Sequence, residues 1–384
     1  MTEATLCGII HFAAKSCRYA LLAQLDRVTD YESVGRGFES PTAHQIKKEP
    51  KQIALVLFFI RLLHRYGEFA KKVLYCFCIK GNGAQAMKYG IDTQFKKYAY
   101  KLPFSRLILC LSRIFLERAV RYTKTQGAAA SLKKENGLFE YTFSPKGSGE
   151  TTPCVLFFHG GGFGYPAAPH HKRLASTLAD MTGFRVIMPE YRLLPKYKYP
   201  AARSDALSAY KRMCERFPKA EGFAVMGDSA GGVLAAYASC DAIKEGLPPP
   251  RLQMLLYPVA EENAVNASMK KFTDTPLWNA RNNAAMWKMY LDKTGDEEAS
   301  PTKMRLPKNP PPLYIELAEF DCLHDEGLDY AKRIEKTGAK TEIFEVRGAP
   351  HGFDIAEEGS ITRECIKRRA AALKKAFSDT LRRE

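Results

Sequence analysis

The sequence predicts an α/β protein built on a mostly parallel, doubly wound sheet with a helical cap. Three observations lead there. Between Leu138 and Val346, short apolar runs alternate with helix-length segments, the pattern of repeated strand–helix units. The run Cys154-Val-Leu-Phe-Phe158 is continuously apolar rather than alternating, as expected of a parallel strand covered on both faces. Finally, 384 residues with 46% hydrophobic content suffice for one large α/β domain with an attached cap, or for two ordinary domains.

The first 46 residues look unlike the rest, with little periodicity and no clear caps. Ala23-Gln-Leu-Asp-Arg-Val28 can be written in codons as GCT CAG CTG GAT AGA GTG, which resembles the D-arm of a tRNA gene. Thr29-Asp-Tyr-Glu-Ser33 can be written as an anticodon stem-loop, and Gly37-Phe-Glu-Ser-Pro41 as a T-arm, in the order and spacing of one tRNA. Residues 1–46 are therefore expected to be a translated tRNA-gene segment, disordered and outside the fold. Met87 is expected to be the true start, and peptides from residues 1–46 in the native protein would overturn this. Residues 47–86 are left unassigned. Their most apolar stretch, Ile53 to Ile60, stops at Arg61, well short of the roughly 20 residues a membrane span needs.

Residues 87–135 are expected to form N-terminal cap helices. Between about 92 and 123, Leu107, Ile108, Leu111, Ile114 and Phe115 recur at helical spacing, interrupted by Arg106, Arg113 and Arg118. Such a basic amphipathic stretch suits a cap, and it can also lie on a lipid surface. Residues 136–384 are expected to be the catalytic domain, with strands at Leu138–Phe143, Cys154–Phe158, Arg185–Met188, Phe223–Met226, Leu252–Leu256, Leu313–Leu317 and Glu342–Val346. Helices are expected at 202–216, 230–245 and 326–337. The longer interruption at 263–298, with Trp278 and Trp287, would add to the cap and shape a pocket.

The formal net charge is +16, which calls for a search for nucleic-acid partners. The basic residues are scattered, however, and no zinc-finger or RNA-binding signature accompanies them. The excess does not come from the front end, where Lys15, Arg18, Arg27 and Arg36 face Glu3, Asp26, Asp30, Glu32 and Glu39. The ten cysteines form no evident disulfide framework, and Cys76-Phe77-Cys78 lacks the further ligands of a zinc site. A reducing cytoplasm is the expected compartment.

The chemistry concentrates at strand ends. Gly227-Asp-Ser-Ala-Gly231 follows the strand Phe223–Met226 and opens an apolar helix, the context of a nucleophile elbow, which makes Ser229 the nucleophile. His159-Gly-Gly-Gly-Phe163 follows another strand. Its glycines let backbone amides approach a substrate oxygen, so Gly161 and Gly162 with Ala230 would form a three-donor oxyanion hole. His159 itself is expected to orient this loop. No Lys-Ser/Thr follows the glycines, which argues against a nucleotide loop. Two histidines lie downstream of Ser229, His324 and His351. In the chain order Ser, acid, His, the base is His351, in the segment Arg347–Phe353 expected to form an exposed turn, and the acid is Asp321. Asp325 sits where it could cap the next helix.

Together these motifs resemble the hormone-sensitive-lipase-like esterases, including acetyl esterases, a branch of the α/β-hydrolases. The resemblance covers about residues 137–376. It rests on His159-Gly-Gly-Gly-Phe163, Pro189-Glu-Tyr-Arg-Leu-Leu-Pro195 with Tyr199-Pro-Ala-Ala202, Gly227-Asp-Ser-Ala-Gly-Gly232, Asp321-Cys-Leu-His-Asp-Glu-Gly327 and His351-Gly-Phe353. It implies the α/β-hydrolase fold, the triad and oxyanion hole named above, and a cap made by N-terminal helices. Cys322 departs from the family's usual proline, and Leu194 and Lys196 from an alanine and a glutamate. The expected function is hydrolysis of short-chain, acetyl-type carboxylic esters through an acyl-enzyme. No cofactor or metal is expected, the partner is a small-molecule ester, and neither nucleic acid nor stable membrane insertion is expected. Trp278 is expected to contact substrate. Two alternatives stay open: an amidase or peptidase on the same triad, and a non-catalytic ligand receptor, against which His351 argues.

Overall fold

The computed structural model describes residues 88–99, 103–125, 127–135, 137–291 and 296–381. The expectations for residues 1–46, for 47–86 and for a start at Met87 lie outside the described residues.

Eight strands form one sheet in the order β1-β2-β4-β3-β5-β6-β7-β8. They are β1 (Ala129–Glu135), β2 (Leu138–Ser144), β3 (Cys154–Phe158), β4 (Arg185–Pro189), β5 (Phe223–Asp228), β6 (Gln253–Leu256), β7 (Leu313–Phe320) and β8 (Thr341–Pro350). From β4 to β8 all pairings are parallel, while β1 and β2 form an antiparallel hairpin added beside β4. The connecting helices include α1 (Arg106–Tyr122), α2 (Pro169–Thr182), α3 (Ala201–Arg216), α4 (Ala230–Lys244), α5 (Ala267–Lys271), α6 (Ala280–Tyr290), α7 (His324–Glu335) and α8 (Ser360–Leu381).

Both faces of the sheet are covered, which explains the unbroken apolar runs. Leu156, Phe158, Val225, Leu255 and Ile315 point to one side, into a core shared with Ala206, Val233, Leu234 and Tyr330 of α3, α4 and α7. Val155, Phe157, Ala224, Met226 and Met254 point to the other, against Leu174, Leu178 and Leu373 of α2 and α8. Each fully buried side chain of this size contributes about 1.5–3 kcal/mol of transfer free energy.

Three expectations need correction. The helical segment expected to reach residue 135 ends at Tyr122, and residues 129–135 form β1 instead. Its side chains are mostly exposed, so no apolar periodicity marks it; pairing with the buried strand β2 makes it a strand. β7 and β8 run further than expected, to Phe320 and Pro350, because their parallel pairing continues past a bulge at Ala318/Phe320. Asp321 and His351 therefore leave directly from strand ends, and His351 is buried, not in an exposed turn.

α1 and the segment carrying α5 and α6 lie over the C-terminal ends of the strands. Ser105 caps α1 by accepting from Ile108 N. Arg113 of α1 donates to the Leu194 carbonyl, at 2.9 Å, and Phe104 N donates to Asn282 Oδ1 of α6, at 3.1 Å. Among the described residues no helix is long and apolar enough to cross a membrane.

Candidate active site

Ser229 occupies the single residue between β5 and α4, with φ 53° and ψ −119°. A side chain in that region costs of order 1–3 kcal/mol, so its surroundings must hold it. Ser229 N donates to the Leu256 carbonyl at 2.9 Å, and Val259 N donates to the Ser229 carbonyl at 3.1 Å. Glycines make the turn possible: a Cβ on Gly227 would strike the Gly231 carbonyl, and one on Gly231 would strike the Phe158 carbonyl.

The structure brings Ser229, His351 and Asp321 together. His351 Nε2 lies 2.9 Å from Ser229 Oγ, and Nδ1 lies 2.6 Å from Asp321 Oδ2. Asp321 Oδ1 accepts from Leu323 N at 2.9 Å. A carboxylate opposite Nδ1 makes that nitrogen the donor. Nε2 is left as the acceptor for the serine proton, the arrangement a general base requires. All three side chains are buried. His324 instead pairs with Asp325 at 3.0 Å, and Asp325 Oδ2 accepts from Ser268 N at 2.8 Å. Asp325 thus ties α7 to α5 rather than capping its own helix.

Across from Ser229 runs the glycine loop. Gly161 and Gly162 have φ of 115° and 58°, and Gly161 O accepts from Gly164 N and Tyr165 N. A Cβ on Gly162 would lie 2.8 Å from Trp278 Cη2 and 2.9 Å from Phe104 Cε2. Ala230 is the first residue of α4, where an amide has no partner within the helix. Trp278 packs over both halves of the site: its ring is 6.0 Å from that of His351 and 5.6 Å, edge-on, from Phe104.

Two His–carboxylate pairs brace this loop; the orienting role expected of His159 is met here through Glu190, while the second pair, of His171 and Asp228, was not expected. His159 Nδ1 lies 2.7 Å from the Gly160 carbonyl and Nε2 lies 3.1 Å from Glu190 Oε2. Both partners offer acceptor oxygens, an arrangement that favours the doubly protonated, cationic ring. Burial opposes that charge, but Glu190, the Gly160 carbonyl and Asp228 outweigh it and hold the pKa above the ordinary histidine value. The second pair joins His171 Nε2 to Asp228 Oδ2 at 3.2 Å, while Asp228 Oδ1 accepts from Gly160 N at 2.9 Å. Burial would raise the Asp228 pKa, yet His171, His170 and His159 keep it below the usual carboxylate value. The signal for this bracing was the neighbouring His170 and His171, which no local motif connects to Gly227–Gly231.

Replacing Gly162 with alanine should lower kcat/KM for a simple ester by about 10²-fold, the scale of one lost oxyanion donor. The Cβ would meet two aromatic rings at a positive φ, so the loop must shift. Steady-state kinetics on variant protein with a wild-type circular dichroism spectrum measures the effect.

Residues 155–355 match the family described as the α/β hydrolase fold. The chain belongs to that family, in its hormone-sensitive-lipase-like esterase branch. It is similar to the ethyl acetate hydrolase of Pseudomonas putida, 32% identical over 55% of this chain and 68% of that protein. It is also similar to the carboxylesterase NlhH of Mycobacterium tuberculosis, 30% identical over 59% of this chain and 75% of that one. Lipase 2 of a Moraxella species is 30% identical over 52% of this chain and 54% of that protein. Among solved structures, the esterase LipW of Mycobacterium marinum superposes with a TM-score of 0.67 at 26% identity, over 75% of this chain and 96% of that one. A bacterial heroin esterase gives 0.66 at 25%, over 75% and 98%. As in any α/β-hydrolase, the strand ends present the chemistry. Among the described residues no cluster of His, Cys, Asp and Glu is arranged to hold a metal.

Proposed function

We propose that this protein hydrolyses short-chain carboxylic esters, with Ser229 as nucleophile, His351 as general base and acid, and Asp321 as the group that orients and stabilises the imidazolium. The observation that carries this reading is the continuous hydrogen-bonded chain Ser229–His351–Asp321 facing a glycine loop. His351 takes the Ser229 proton as Oγ attacks the ester carbonyl. The amides of Gly161, Gly162 and Ala230 receive the oxyanion, and His351 returns the proton to the leaving alkoxide. Water activated by His351 then releases the acyl group. The names of the relatives, among them an ethyl acetate hydrolase and carboxylesterases, favour esters as the substrate class.

The preference for short acyl groups is supported by Trp278 and Phe104, which close over Gly162. Trp278 would contact the acyl or alcohol group of the substrate. The partner is a small molecule, with no role for nucleic acid. A cytoplasmic location, expected from the sequence, is part of this reading.

An ester series from p-nitrophenyl acetate to palmitate tests the reading. Wild type should be fastest on the acetyl and butyryl esters, with kcat/KM lower by about 10-fold or more on the longest chains. A maximum at long chains would overturn the substrate assignment, and faster turnover of the matching anilides would make the enzyme an amidase.

A further inference from the structure

Behind His351, four segments meet around one guanidinium. Arg369 of α8 is fully buried. Its Nε and Nη2 donate to Glu316 Oε1 and Oε2 at 2.9 and 2.6 Å. Nη1 and Nη2 donate to Asp354 Oδ1 and Oδ2 at 2.9 and 3.0 Å. Tyr257 donates its hydroxyl to Asp354 Oδ2 at 2.5 Å, and Tyr314 donates to Glu316 Oε1 at 3.0 Å. Every carboxylate oxygen here accepts from an N–H; burial raises the Glu316 pKa, and the Arg369 guanidinium works against that rise.

Two of these segments lead to Asp321 and His351, and a third adjoins the carbonyl that holds Ser229 N. Glu316 lies on β7, which ends at Phe320, one residue before Asp321. Asp354 is in the short helix Phe353–Ile355, just past His351. Tyr257 follows Leu256, whose carbonyl holds Ser229 N, and its own N–H donates to the Glu316 carbonyl at 2.7 Å. The His351 ring rests edge-on against Tyr257, 5.1 Å between centroids. Phe353 packs against Tyr257 at 5.2 Å and under the Arg369 guanidinium at 5.7 Å.

We propose that Arg369, acting through Asp354 and Tyr257, is a positioning residue that sets the placement of the His351 ring between Ser229 and Asp321. The proposal rests on the serine-hydrolase reading above. A rigid bidentate fork suits this task, because it fixes two carboxylates in one plane where an ammonium would fix neither. A buried guanidinium paired with carboxylates adds little net stability compared with apolar packing, so geometry is the gain that remains.

The groups facing His351 are Asp321, Ser229 and Tyr257, with Asp354 on its own segment and Asp228 beyond Tyr257. Around Arg369 stand Tyr314 and Cys365, both held protonated by burial.

The test compares wild type with Tyr257→Phe, Asp354→Asn, Arg369→Lys and Arg369→Met. Kinetics on p-nitrophenyl acetate are normalised to fluorophosphonate-titrated active sites. The downfield proton resonance of His351 Nδ1–H is recorded for each protein. Tyr257→Phe removes one tether and should lower kcat about tenfold, with KM within about twofold and a displaced or broadened resonance. Asp354→Asn should lose more, and Arg369→Lys should recover part of what Arg369→Met loses. Wild-type kcat and an unmoved resonance in Tyr257→Phe would overturn the proposal, even if the Arg369 variants fail to fold. Lack of esterase activity in wild type would instead overturn the hydrolase reading, while the resonance would still report on the positioning.

Discussion

Replacing Ser229 with alanine is expected to reduce kcat on p-nitrophenyl acetate by about six orders of magnitude, the scale seen when a serine nucleophile is removed from a hydrogen-bonded triad. The substitution deletes one atom, Oγ, whose partner is His351 Nε2. The strained backbone at φ 53° is held by main-chain bonds to Leu256 and Val259, which alanine retains. The melting temperature should therefore change little, and the loss should fall on the chemical step. Residual turnover would come from the oxyanion loop and substrate binding, about 10³-fold over water. Labelling with a fluorophosphonate, followed by peptide mass spectrometry, gives a second readout: one adduct on Ser229 in wild type and none in the variant. Activity within about 100-fold of wild type would mean that the nucleophile is elsewhere.

Much of the fold was legible because buried parallel strands advertise themselves. Cys154–Phe158 is apolar at every position, and the structure buries every one of its residues. β1 carried no such signal, since Ala129, Lys133 and Lys134 face solvent and its strand character comes from its partner. Ser229 could be read locally, because the elbow needs its glycines within two residues on either side. His351 could be read from chain order and the small number of histidines. The partners within the braces could not be read. Arg369 sits at helical spacing with Cys365, Leu373 and Phe377 on the buried face of its helix, but that spacing does not reveal that its partners are Glu316 and Asp354. The His171–Asp228 pair joins positions 57 residues apart. Periodicity reports which face of an element is buried; it does not report which buried polar groups meet.

The acid gives the most discriminating test of the triad, since Asp321 and Asp325 sit four residues apart and both hydrogen-bond to a histidine. In Asp321→Asn the direction of the new amide is dictated by its neighbours. Leu323 N donates to Oδ1 at 2.9 Å, so the carbonyl oxygen of the amide must stay there. The NH2 group then faces His351 Nδ1, where the carboxylate oxygen now lies 2.6 Å away. A donor at that point forces Nδ1 to become the acceptor and moves the ring proton to Nε2. Ser229 Oγ would meet an N–H instead of a base. With the same geometry and the wrong tautomer, kcat should fall about 10⁴-fold, while KM and the melting temperature stay close to wild type. Asp325→Asn should leave kcat within about threefold, because that residue binds His324 and the Ser268 amide away from Ser229. The reverse outcome, with Asp321→Asn active and Asp325→Asn inactive, would transfer the acid's role to Asp325 and require His324 to approach the serine.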